Sequence, residues 1–161
     1  MVHIRIERAD QPDAIALIDE LDAYQKPLYP PESFHGIDLD ALAQPNVVFA
    51  VARTVEGKAV ACGAVVVEAG RGELKRMFVK PVYRSRGIAQ AMLSFLEGEA
   101  MHRGAMLMRL ETGVSQPEAL RFYERAGYAR RGPFANYWDD PLSVFMEKPL
   151  ALNIANEEAQ S

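Results

Sequence analysis

The stretch Val79–Ala100, VKPVYRSRGIAQAMLSFLEGEA, decides how the chain is read. In its second half Ile88, Ala89, Met92, Leu93, Phe95, Leu96 and Ala100 share one face at helical spacing, which predicts an amphipathic helix from about Arg86 to Arg103. Just upstream, GELKRMFVKP has the composition of a strand that Pro81 ends. At the junction stands Arg84-Ser85-Arg86-Gly87-Ile88-Ala89, with two cations, a hydroxyl and a glycine at the first turn of the helix. The first amides of a helix have no intrahelical acceptors, and their dipoles leave partial positive charge there. Gly87 has no side chain to hold a phosphate oxygen off the backbone, so the turn suits a phosphate or pyrophosphate. The same letters also describe a helix start with a solvated charged turn, and neither the lysine-bearing P-loop nor the three-glycine Rossmann fingerprint is present.

Outward from this junction, HIRIER alternates apolar and charged residues and reads as a half-buried strand. Asp10, with Pro12 after it, is the expected start of a helix whose stripe is Ala14, Leu17, Ile18, Leu21 and Tyr24. KPLYPPESFHG, broken by prolines, is loop, and DLDALAQ offers a short second helix. VVFAVART and KAVACGAVVVEA are β-branched strands joined by the hairpin signal VEGK, and AMLMRLET is a further strand. Ser115 and Glu118 have capping-box spacing before PEALRFYERAG, which Gly127 stops. LSVFMEKPL is the last strand. The segment from Glu73 to Glu111 is therefore strand, helix, strand, which predicts a parallel pair with a right-handed crossover in an α+β fold. The arginine-glycine turn falls at the carboxyl end of the first of these strands, where open sheets bind ligands.

Composition narrows the function classes. A chain of 161 residues, 49% hydrophobic and 25% charged, is expected to form one globular domain over 1–150, with 151–161 as a tail. No apolar run approaches the ~20 residues of a membrane helix, and the charges in MVHIRIERAD argue against a signal peptide. Cys62 stands alone mid-strand and reads as a small core residue, in keeping with a reducing, cytoplasmic setting. A net charge of −4 argues against nucleic acid as partner. His3, His35, His102 and Cys62 have no metal-ligand spacing. Within this acidic chain, Arg71, Lys75, Arg76, Lys80, Arg84 and Arg86 cluster in sequence near the turn, with Glu73 the one acid among them.

With these residues in place, the sequence resembles the GNAT superfamily of acyl-CoA-dependent N-acetyltransferases. The family signature is Gln or Arg, two residues, Gly, one residue, then Gly or Ala, and it is matched by Arg84-Ser85-Arg86-Gly87-Ile88-Ala89. QPEALRFYERAGY looks like the second motif of the family, a helix carrying Phe-Tyr before a Gly-aromatic stop. The resemblance runs from HIRIERAD to FMEKPL. It implies a mixed, mostly antiparallel central sheet with helices on both faces and a splayed parallel strand pair that forms the acyl-CoA site. Acetyl-CoA is then the co-substrate, with no metal. The amides of Arg84, Ser85, Arg86, Gly87, Ile88 and Ala89 would cradle its pyrophosphate. The main chain of Met77, Phe78 and Val79 would pair with the pantetheine arm like an added strand. Gln116 stands seven residues before Tyr123, where relatives often carry Asn.

The reaction implied is direct attack by a primary amine on the thioester in a ternary complex, through a tetrahedral oxyanion. Glu73, eleven residues before Arg84, occupies the position where some members carry a glutamate base; its other reading is a strand carboxylate paired with Lys75 or a neighbour. Glu111 is the second candidate. Tyr123 matches the tyrosine that protonates the leaving thiolate, or else packs in the core beside Phe122. For the acceptor, Tyr24, Tyr29, Glu32, Phe34 and His35 from the proline-rich loop, and Tyr137, Trp138, Asp139 and Asp140 from GPFANYWDDPLS, offer aromatic walls and acids suited to an ammonium. They equally describe surface loops. The acceptor stays open between an amino acid, a polyamine, an aminoglycoside and a protein amine; homodimerisation is a further expectation. A non-catalytic acyl-CoA sensor and a purely structural use of the same scaffold are the competing readings.

Overall fold

The computed structural model describes residues 1–33 and 37–150. The expectations for Phe34 and His35, and for the tail 151–161, lie outside the described residues. Among the described residues, seven strands and four α-helices run in the order β1 (Val2–Ile6), α1 (Pro12–Gln25), α2 (Leu39–Leu42), β2 (Val47–Thr54), β3 (Ala59–Glu68), β4 (Arg71–Val79), α3 (Ile88–His102), β5 (Leu107–Gly113), α4 (Pro117–Arg125), β6 (Ala129–Arg131) and β7 (Ser143–Pro149). Single 3-10 turns stand at Lys26–Leu28, Pro31–Ser33 and Pro81–Tyr83.

The strands form one sheet in the order β1-β2-β3-β4-β5-β7-β6, antiparallel except for the β4–β5 pair. This is the mixed α+β sheet that the sequence implies. On one face α3 buries Met92, Leu93, Leu96 and Ala100 against Val65, Met108 and Leu110, and Tyr123 of α4 joins the same cluster. Each large apolar side chain taken fully from water there contributes about 1.5–3 kcal/mol. On the other face α1 and α2 set Leu17, Leu21 and Leu42 against Phe49, Val51 and Phe78. Cys62 belongs to this second cluster, and burial pushes its thiol up to about 12.

Two features of β4 shape what lies above it. First, its parallel pairing with β5 is short: Arg71 meets Leu107, Gly72 meets Met108 and Glu73 meets Arg109. A Cβ added to Gly72 would stand 2.7 Å from Met108 Sδ, so the glycine permits this close approach. Beyond Glu73 the strands part. Second, the β3–β4 register shifts between Cys62 and Ala64, and Arg76 has φ 56. This bulge directs the Arg76 guanidinium to Asp22 of α1 at 2.6 Å, while Leu74 and Val79 face the α3 cluster.

Several local expectations are corrected. Asp10 does not cap α1: it pairs with Arg8, Gln11 takes the N-cap position without a side-chain bond, and Pro12 opens the helix. Helix α3 begins at Ile88 and not Arg86, because Gly87 holds the N-cap in the left-handed region. The Ser115–Glu118 capping box does not form; Gln116 is the N-cap of α4, and the Ser115 amide donates to the Tyr29 hydroxyl. Tyr24, placed on the buried stripe of α1, is 44% exposed. The stop at Gly127 holds, with φ 99 and the Tyr128 amide donating to the Tyr123 carbonyl at 3.0 Å.

Candidate active site

The turn between β4 and α3 presents its backbone outward. Ser85 (φ 63) and Gly87 (φ 79) are both left-handed, and residues 84–87 are exposed. The first helical bond runs from the Ala91 amide to the Gly87 carbonyl at 3.0 Å, so the amides of Ile88, Ala89 and Gln90 precede the ladder of α3. A Cβ added to Gly87 would meet no atom within 4 Å: the space above it is open. Arg84 Nε donates to the Val79 carbonyl at 3.1 Å, which bends this arginine back over β4 between Tyr24 and Phe78. Arg86 stacks on Tyr83 at 5.3 Å. Fifteen residues of helix behind the amides of Ile88, Ala89 and Gln90 give this turn geometry and charge suited to an anion.

From the turn a cleft runs between the parted strands. Its outer hollow encloses ≈ 780 Å³ and is walled by Met77, Phe78 and Val79 on one side and by Gln116, Phe122 and Tyr123 on the other. Its inner hollow, ≈ 130 Å³, is lined by Tyr29, Lys75, Glu111 and Thr112 among others. The two meet at Leu21, Met77, Gln116, Ala119 and Tyr123. The cleft thus gathers Met77, Phe78, Val79, Arg84, Ser85, Gly87, Ile88, Ala89, Gln116 and Tyr123 into one continuous wall, and Tyr29 and Glu111 into its inner end.

Other anticipated residues stand elsewhere. Glu32 and Asp139 are exposed and line neither hollow, and Trp138 is half exposed. Asp140 is buried instead, its carboxylate accepting from the Leu142 amide at 2.9 Å as part of the turn into β7. Glu73 sits beside the cleft, not in its lining. Its Oε2 accepts from the Tyr137 hydroxyl at 2.5 Å and lies 3.1 Å from Lys75 Nζ, which also donates to the Tyr137 hydroxyl. Edge contacts with Phe134 and Phe145 hold the Tyr137 ring. Lys75, one of the basic residues gathered around the turn in the sequence, lines the inner hollow; it is one strand period from Glu73 and so shares its face.

Tyr123 is buried, between the edges of Phe122 at 5.2 Å and Tyr128 at 5.8 Å, and burial pushes its phenol above the ordinary range. It therefore holds its proton at neutral pH while standing where the two hollows join. Tyr29 reaches across from the proline-rich loop. Its hydroxyl accepts from the Ser115 amide at 3.1 Å and donates to Gln116 Oε1 at 3.1 Å. Among the described residues no cluster of His, Cys, Asp and Glu could hold a metal, and no helix is long and apolar enough to cross a membrane.

Comparison with known proteins places this architecture. Residues 14–128 match the model of the acetyltransferase (GNAT) family. The chain is 47% identical over 151 residues to an IAA acetyltransferase of Azospirillum brasilense, covering 92% of this chain and 98% of the relative. It is 35% identical over 153 residues to the uncharacterized N-acetyltransferase YsnE of Bacillus subtilis, covering 92% of this chain and 100% of the relative. A crystal structure of a protein from Klebsiella pneumoniae superposes with TM-score 0.80 at 39% identity over 93% of this chain and 98% of that one. The chain therefore shares its fold with that structure and belongs to the acetyltransferase (GNAT) family.

Proposed function

We propose that this acetyltransferase takes its acetyl group from acetyl-CoA and passes it to a primary amine held in the inner hollow, by direct attack in a ternary complex. One observation carries the reading: a single cleft joins an anion-accepting helix start at Gly87 to an inner chamber bearing Lys75 and Glu111, with Tyr123 at the junction. The pyrophosphate rests on the turn Arg84–Ala89. The pantetheine arm extends along Met77–Val79, beyond the point where β4 pairs with β5. The thioester then lies beside Tyr123.

The acceptor amine must lose a proton before or as it attacks, and the tetrahedral oxyanion collapses with departure of the CoA thiolate. Tyr123 is the acid that meets this thiolate, since it stands where the two hollows join and holds its proton at neutral pH. Burial weakens it as an acid, and the same enclosure makes the thiolate beside it a stronger base. For the amine proton, Glu111 is the carboxylate that lines the inner chamber, directly or through water. Glu73 is occupied by Tyr137 and Lys75, and its role is to fix Lys75 at the chamber edge. The name of the Azospirillum relative makes IAA one acceptor to include beside the amines. The test is calorimetry with acetyl-CoA followed by thiol release across an acceptor panel of amino acids, polyamines, aminoglycosides, peptide amines and IAA. Binding followed by thiol release that depends on an amine supports the reading; release with IAA alone keeps acetyl transfer and overturns the amine acceptor. Binding without release from any acceptor makes the domain an acyl-CoA sensor, and no binding removes the co-substrate.

A further inference from the structure

Gln116 is an awkward residue for the junction of the two hollows. It is the N-cap of α4, yet its side chain makes no cap bond, so the helix does not fix it. A glutamine left to itself samples many rotamers, and a ligand that used its amide would have to order it first. The structure supplies the missing restraint from a distant segment. Tyr29, 87 positions earlier in the chain, donates its hydroxyl to Gln116 Oε1 at 3.1 Å. The same hydroxyl is anchored by the Ser115 amide at 3.1 Å. The phenol tip also fills the space that a side chain at position 113 would occupy, so the tie exists only because residue 113 is glycine.

We propose that Tyr29 is a positioning residue that sets the Gln116 amide for the acyl-CoA arm, an inference that rests on the co-substrate reading above. An amide has one acceptor end and one donor end. With Oε1 held by Tyr29, the amino group is the end that Gln116 offers to the cleft, and a carbonyl of the pantetheine arm or thioester is the group it fits. Tyr29 thus acts on the co-substrate through Gln116 and not as a wall for the acceptor. The tie also joins the inner chamber to the outer hollow, because Tyr29 lines the first and Gln116 lines both.

A double-mutant cycle on the full chain tests this, with acetyl-CoA dissociation constants from calorimetry and melting temperatures for every variant. Tyr29→Phe keeps the ring and removes both bonds; Gln116→Ala removes the amide. Each alone weakens acetyl-CoA by roughly five- to tenfold, the worth of about one hydrogen bond. The double variant binds no more weakly than Gln116→Ala. Gly113→Ala, which pushes the phenol aside, behaves like Tyr29→Phe. In turnover, Tyr29→Phe raises the KM for acetyl-CoA more than it lowers kcat. Losses that multiply in the double variant, or wild-type affinity in Tyr29→Phe, overturn the positioning role while wild-type binding keeps the co-substrate reading intact. A wild-type chain that binds no acetyl-CoA overturns both.

Discussion

The Tyr137 hydroxyl donates to Glu73 Oε2 at 2.5 Å, so a residue of the loop before β7 holds the carboxylate at which the β4–β5 pairing ends. On the reading proposed above, that bond, with Lys75 3.1 Å away on the same oxygen, makes Glu73 an anchor for a cleft cation, and Glu111, which lines the inner hollow, is the carboxylate proposed to take the proton. Glu111→Gln is expected to lower kcat/KM by roughly 10² or more, with partial recovery as pH rises and more of the amine is already neutral. Glu73→Gln is expected to cost about 1–3 kcal/mol of stability through weakened charged hydrogen bonds, a fall in Tm of roughly 2–12 °C, with a smaller loss of rate. Paired pH–rate profiles and melting curves decide the order. If Glu73→Gln loses its acidic limb and Glu111→Gln keeps it, Glu73 is the base.

The proposed pyrophosphate cradle makes a sharper prediction because the protein contains its own control. Gly87 (φ +79) and Gly57 (φ +89) are both left-handed, and a Cβ at either meets nothing within 4 Å. Alanine at each position carries the same backbone penalty, about 1–2 kcal/mol. Only Gly87→Ala also places a methyl where a phosphate oxygen approaches, and it should weaken acetyl-CoA by roughly 10- to 100-fold through lost charged hydrogen bonds. Gly57→Ala, in the β2–β3 hairpin, should match it in Tm and leave affinity alone. Arg84→Ala should do less, since an exposed cation contributes about 0–1 kcal/mol. Equal affinities in the two glycine variants would remove the backbone cradle.

What could be read in the sequence was what local chemistry controls. The stripe Met92, Leu93, Leu96 and Ala100 specified α3, the strand–helix–strand order specified the parallel pair, and Gly127 specified the end of α4. Where the sequence reading failed, a residue distant in the chain had supplied the partner. Ser115 has the right spacing for a cap, but Tyr29 claims its amide from 86 positions away. Tyr24 has the periodicity of a core residue, yet it ends its helix over the mouth of the cleft. Glu97, which is not part of the apolar stripe of α3, is nonetheless buried, with Tyr128 donating to it at 2.7 Å and Lys148 3.1 Å away. The three-residue strand β6 is too short for any periodic signal. Glu73 stood first as the base and Glu111 second for the same reason: only the separation of the strands, invisible in the sequence, puts Glu111 in the cleft lining and leaves Glu73 beside it.

Acid should unfold the N-terminal half through Arg53. Its guanidinium donates to Glu7 at 2.8 Å, to Asp13 at 2.6 Å and to the Gly57 carbonyl at 2.9 Å, joining β1, α1 and the β2–β3 hairpin. Hydrogen bonding to Arg53 holds both carboxyls below their ordinary values of 4.5 and 3.8. A depressed folded pKa means the stabilisation is complete above the unfolded value and is lost as pH falls through the folded one. Glu7 is the more protected partner; Asp13, half exposed, contributes little. Arg53→Lys, which loses the planar fork, is therefore expected to melt below wild type at pH 7, with the gap closing as pH drops below about 4.5. A gap that persists unchanged into acid would mean that the arginine stabilises by packing alone.

If Tyr123 is the acid, stability and catalysis meet in one group, so one variant can be read twice. Tyr123→Phe keeps a ring between Phe122 and Tyr128 and removes only the hydroxyl. If that hydroxyl protonates the thiolate, kcat should fall by roughly 10² to 10⁴ while acetyl-CoA affinity changes little. The alkaline side gives the second reading. Burial raises the phenol above its ordinary value of 10.0, and Tyr128 and Tyr137 are raised as well. A raised folded pKa leaves the stabilisation complete below the unfolded value; above it, only the unfolded chain loses its proton, and stability falls as pH climbs from about 10 toward the folded value. Each such phenol adds about 1.4 kcal/mol of loss per pH unit. Tyr123→Phe should thus unfold less steeply above pH 10 than wild type, even as it loses activity at pH 7. A shallower alkaline slope with undiminished kcat would confirm the burial and leave Tyr123 a core residue, with water as the source of the thiolate's proton. Lost activity with an unchanged slope would mean that the phenol is solvated in the free enzyme and becomes enclosed only when acetyl-CoA fills the cleft.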